Sequence, residues 1–90
     1  MNKLDHIKQL LQNNNIDTAI SLLLELKLQQ PENDDIHFIL GNAYCKKNDW
    51  QQALNAYCQA LTINPKSPAR IAHDRVIEIL NFYHHDRYNP

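Results

Sequence analysis

His37-x-x-Leu40-Gly41-x-x-Tyr44, followed by Ala53-x-x-x-Tyr57-x-x-Ala60-x-x-x-x-Pro65, is the stretch that decides the fold. Gly41 is the only glycine in a chain of 90 residues. A glycine inside a helix costs about 1 kcal/mol relative to alanine, so its place mid-pattern marks a close approach between two helices. Ala53 and Ala60 stand two turns apart on the next helix and face the same neighbour. Tyr44, Trp50 and Tyr57 fill the space that the small residues leave. Pro65 ends the second helix, because proline cannot continue the hydrogen-bond ladder.

This spacing resembles the tetratricopeptide repeat, a helix–turn–helix unit with the pattern W-x-x-L-G-x-x-Y, then small and aromatic residues, then proline. His37 occupies the Trp slot and Tyr57 the Phe slot. The resemblance implies an all-α fold, antiparallel helix hairpins stacked as a short right-handed α-superhelix. It also implies a surface on which other proteins dock.

Shifting the sequence by 34 residues tests for a second copy. Pro65 falls on Pro31, Ala53 on Ala19 and Asn48 on Asn14, while Tyr44, Trp50 and Tyr57 fall on Leu10, Ile16 and Leu23. Apolar slots stay apolar, and both asparagines sit between helices, where Asn tolerates a left-handed backbone. The small slots fail, since Gly41 falls on Ile7, Ala60 on Leu26 and Leu40 on His6. In the other direction Leu40, Gly41 and Tyr44 fall on Asp74, Arg75 and Glu78, charges that would not seat a following helix. Ser67-Pro68 is a helix start, a capping hydroxyl followed by proline in the first turn.

The expectation is therefore one domain over 1–90, with five helices near 2–13, 16–29, 34–46, 50–62 and 68–84. Residues 1–33 form a degenerate repeat, 34–67 a well-matched one, 68–84 a capping helix and 85–90 a tail. Repeat arrays need an end-piece over their last apolar face. The run Ile79-Leu80-Asn81-Phe82-Tyr83-His84-His85-Asp86-Arg87-Tyr88-Asn89-Pro90 is similar to the ending of small bacterial two-repeat proteins of this family. Phe82 and Tyr83 leave the helix in different directions, so one of them should fold the tail back.

Composition narrows the function. A net charge of −1 argues against nucleic acid or an anionic membrane surface as the main partner. No apolar run reaches the length of a membrane span or forms a signal peptide, which makes the cytoplasm the expected compartment. Cys45 and Cys58 lie 13 residues apart on antiparallel helices and read as small hydrophobes. His84 and His85 point about 100° apart and cannot easily share an ion. The sequence has no phosphate loop, no Ser/His/Asp or Cys/His arrangement and no H-E-x-x-H. The reading is a protein without catalysis, cofactor or metal.

In the family, the first helix of each hairpin lines a concave groove. Carried over, that places Leu4, Lys8 and Leu11, then Phe38, Asn42, Cys45 and Lys46, then Ala72, Val76, Ile79 and Leu80 along the groove. Phe38 is the expected anchor, and Asn42 would hydrogen-bond a ligand backbone. The residues of the well-matched repeat, Leu40, Gly41, Tyr44, Trp50, Ala53, Tyr57, Ala60 and Pro65, carry structure rather than binding. The Lys/Asn/Asn/Lys/Arg carboxylate clamp of chaperone-tail binders would fall on Leu4, Lys8, Ile39, Ala69 and His73, and no slot keeps its own clamp residue. An apolar or amphipathic protein segment suits such a groove better than an acidic chaperone tail. The rival expectation is a homodimer that uses the groove end and the capping helix, with its stripe Ala69, Ala72, Val76, Ile79, Leu80 and Tyr83, as its seam.

Overall fold

The computed structural model describes residues 3–88, with side chains through Phe82. Five α-helices run in order, α1 (Lys3–Gln12), α2 (Ile16–Gln29), α3 (Asp34–Lys46), α4 (Trp50–Ile63) and α5 (Ala69–Tyr88), and no strand occurs among the described residues. Each helix packs on the one before it, and α3 also touches both α1 and α5. The first helices of the hairpins thus stand side by side along one face.

The 34-residue period is written in the backbone. Asn15 N–H bonds the Leu10 carbonyl at 2.8 Å, and 34 positions later Asp49 N–H bonds the Tyr44 carbonyl at 2.9 Å. Between these pairs Asn14 (φ 65°) and Asn48 (φ 59°) take the left-handed conformation, the backbone geometry of a helix-ending turn. Farther along, Gln30 N–H to Leu26 O (2.7 Å) matches Asn64 N–H to Ala60 O (2.8 Å). The first hairpin therefore turns like the second although its small-residue slots are filled by Ile7 and Leu26.

Two of the caps follow the same period. Asn33 accepts from Asp35 N–H at 3.1 Å and starts α3, while buried Ser67 Oγ accepts from Ala69 N–H at 3.1 Å and starts α5. Asp49 accepts from Gln52 N–H at 3.3 Å ahead of α4. Asn64 Nδ2 donates to Asp34 Oδ2 at 3.1 Å, tying the end of α4 to the start of α3.

Two apolar clusters make up the interior. One gathers Ile7, Leu11, Ala19, Leu23, Ile36, Ile39, Leu40 and their neighbours from α1 to α3. The other joins Ala53, Tyr57 and Ala60 of α4 to Ala69 and Val76 of α5. Phe38 and Tyr44 of α3 pack against both clusters, and α4 serves both as well, through Ala56 in the first.

One boundary differs from expectation. α5 continues to Tyr88, so residues 85–88, read from sequence as the start of a tail, extend the helix. The polar run His84-His85-Asp86-Arg87 suggested an end, yet neither glycine nor proline interrupts residues 69–88. At 20 residues the helix is about 30 Å long. The expected fold-back involving Tyr83, and the side chains of His84, His85 and Asp86, lie outside the described residues.

Candidate functional site

Tyr57 organises the site. Its ring lies across Gly41, where an added Cβ would stand 2.5 Å from the ring's Cδ1 and closer still to Cε1. No side chain fits between α3 and α4 at that point, which accounts for the lone glycine. Passing over Gly41 brings the phenol to α3, where it donates to Asn42 Oδ1 at 2.6 Å. Its oxygen then accepts the Cys45 thiol, 3.4 Å away. Only 1% of Tyr57 is exposed. Burial pushes its ionisation far above the ordinary value. The Phe38 ring leans on it at 6.2 Å, tilted by 41°.

Above this floor runs a groove of about 540 Å³ between α3 and α5. Phe38, Asn42 and Cys45 form one wall, Trp50 and Tyr57 the base, and Ile71, Ala72, Arg75, Val76 and Ile79 the other wall. Its size falls within the range of ligand-binding clefts, about 300–1,000 Å³. Ile71 is 65% exposed, a large apolar side chain standing at the rim.

The structure gathers six of the eleven groove residues expected from sequence, Phe38, Asn42, Cys45, Ala72, Val76 and Ile79, while Leu80 packs against the second cluster. The three from α1 are elsewhere. Leu11 is buried in the first cluster and Leu4 packs against it, since a degenerate hairpin needs its leucines for its own core, and Lys8 is exposed away from the groove. Lys46, in the last turn of α3, is exposed and does not line it either. Val76 is 2% exposed, so it joins α5 to α4 more than it meets a ligand. Phe38 stands in the α3 wall and packs against both cores. Trp50, Ile71 and Arg75 were missed as groove residues. Ile71 and Arg75 stand four apart on α5, a second row beside the apolar stripe that the sequence does show.

Within the matched motif Leu40, Gly41, Ala53, Tyr57 and Ala60 are buried, whereas Trp50 is half-buried at the groove and Pro65 is exposed. Leu40, Ala53 and Ala60 are at most 2% exposed. Pro65 follows the end of α4. His37, in the Trp slot, is buried and donates Nε2–H to the Pro31 carbonyl at 2.9 Å, while its Nδ1 has no partner. An N–H donor is what an indole would also supply at that place.

Other chemistry is sparse. Cys45 and Cys58 are free thiols. No group of three or more metal-ligating side chains converges among the described residues. No helix there is long and apolar enough to cross a membrane. Lys47 pairs with Asp17 at 2.6 Å across the two hairpins, and that hydrogen bond raises its ionisation above the ordinary value. A smaller cavity of about 250 Å³ opens between the start of α1 and the end of α2.

Stacked helix hairpins, with an apolar groove between α3 and α5, define a helical-repeat protein. A family model for the TPR repeat matches residues 41–69. The solution NMR structure of the Bacteroides fragilis protein BF1650 superposes with a TM-score of 0.88 at 43% identity, covering 99% of this chain and 91% of that one. The chain belongs to the tetratricopeptide-repeat family, as one of its small helical members. No curated protein matches its sequence.

Proposed function

We propose that this chain is a non-catalytic adaptor of the cytoplasm, which receives an apolar or amphipathic segment of a protein partner in the α3–α5 groove. The observation that carries the reading is the groove itself: an apolar cleft on a floor fixed by Tyr57, Gly41 and Asn42, with Ile71 exposed at its rim. Membership of the family supports a protein partner, since its repeats serve protein–protein interaction and are typically non-catalytic. The clamp slots weigh against a chaperone tail, because Ile39 and Ala69 there are buried. The unpaired cysteines agree with a reducing compartment. A photo-crosslinking amino acid at position 71 should capture a discrete partner in cells, whereas one at Asn55, on the opposite side of α4, should not. Equal capture from both positions refutes the groove as the working surface.

A second reading has an observation of its own. Ile71 and Phe82, both on α5, are each 65% exposed, and a homodimer through this helix would cover them. Light scattering over a concentration series would show a dimer that Ile71→Glu or Phe82→Glu splits into folded monomers. Val76 is unsuited to that test, because a charge at a buried position would break the α4–α5 contact.

A further inference from the structure

We infer that the segment taken up by the α3–α5 groove carries an acidic side chain beside a bulky apolar one, its carboxylate seated on Arg75. This rests on the groove being the docking surface. The polar atoms of the groove decide the chemistry. Tyr57 gives its hydroxyl proton to Asn42 Oδ1 and takes the thiol proton of Cys45, so these groups satisfy one another. What remains is the Asn42 NH2, the Trp50 indole N–H and the Arg75 guanidinium, none paired among the described residues. All three are donors. Arg75 is also the only charged residue lining the groove among the described residues. An apolar cleft offering only donors selects a ligand rich in acceptors, and a guanidinium selects a carboxylate in a planar, bidentate fashion.

The position of Arg75 says where in the ligand the acid lies. Arg75 and Ile79 also line an adjoining depression of about 580 Å³ with Glu78 and Phe82. A chain seated on Arg75 therefore has a surface to continue along, and its carboxylate is a side chain within the segment rather than the chain end. Glu78, less than one turn farther, repels a second acid there and keeps the charge in register.

The test is selection from a library of random twelve-residue peptides displayed on phage, each joined to the coat protein by its C-terminus. The baits are the full chain and its Arg75→Glu and Ile71→Glu variants, both changed at exposed positions and checked for helicity by circular dichroism. Wild type should enrich Asp or Glu next to Leu, Ile, Phe or Trp. Arg75→Glu should exchange the acid for Lys or Arg and keep the apolar residue; Ile71→Glu should lose the apolar residue. A synthetic peptide of the enriched sequence should bind at least about fivefold more tightly than its Asn/Gln counterpart, less so in high salt. Amidating its C-terminus should change nothing. Enriched peptides without acids, or an acid preference that survives Arg75→Glu, overturn the inference and leave the groove standing if Ile71→Glu still abolishes binding. Dependence on a free C-terminal carboxylate overturns it in favour of a chain end. A wild-type dimer split by Ile71→Glu, with peptide bound only by the monomer, assigns the groove to a second copy. Enrichment of nothing by any bait overturns both the inference and the docking reading.

Discussion

Gly41→Ala is the sharpest test of how this fold is built. At an ordinary helical position the change would stabilise the chain by about 1 kcal/mol. Here the new methyl would stand 2.5 Å from Tyr57 Cδ1 and closer to Cε1, so the ring must move. It has little room to do so, being 1% exposed and hydrogen-bonded to Asn42 and Cys45. Overpacking of this kind costs about 1–3 kcal/mol. Displacing the phenol also strands a buried hydroxyl, at about 1–3 kcal/mol. The helical gain offsets part of this, and a net loss of about 2 kcal/mol lowers the thermal midpoint of a domain this size by roughly 10 °C. The assay is thermal and urea unfolding by circular dichroism, run as a double-mutant cycle with Tyr57→Leu, which removes the obstructing ring. The two changes should couple by about 1 kcal/mol or more, the double variant being less damaged than the singles predict. A Gly41→Ala protein as stable as wild type would refute the argument, as would strict additivity with Tyr57→Leu.

Three further outcomes are expected. Because burial holds Tyr57 protonated above its ordinary 10.0, the folded chain keeps a proton that the unfolded chain releases above that pH. Stability is therefore intact below about pH 10 and falls above it, and Tyr57→Phe should flatten this alkaline decline in urea titrations; an unchanged slope would contradict it. Ser67→Ala removes the cap of α5 and should cost about 1 kcal/mol, read as a lower thermal midpoint, and no shift would mean the cap is idle. His37→Phe removes the Nε2–H bond to the Pro31 carbonyl and should cost about 1 kcal/mol in urea midpoint, whereas a neutral result would show that the ring acts through shape alone.

The hairpin around Gly41 was legible because its code is local: a lone glycine, two alanines and a tyrosine at helical spacing, all buried as the pattern requires. The left-handed turns at Asn14 and Asn48 were legible for the same reason. The groove was less so, because its walls depend on which face α5 turns toward α3. Periodicity exposes the buried stripe through Ala69 and Val76 but is silent about Ile71 and Arg75 beside it. α1 misled because a concave position in a regular repeat becomes a core position in a degenerate one, as Leu11 shows. The reach of α5 to Tyr88 was hidden by a polar run that carries no stop signal.

Phe38 and Tyr44, which pack against both apolar clusters, tie the two halves of the interior together. Neither hairpin can loosen without exposing a ring that the other also needs. A ligand resting on Phe38 would therefore slow amide exchange as far away as α1, which lies outside the groove. Occupancy at one end of the array would be felt as rigidity at the other, through a shared side chain and no change of shape.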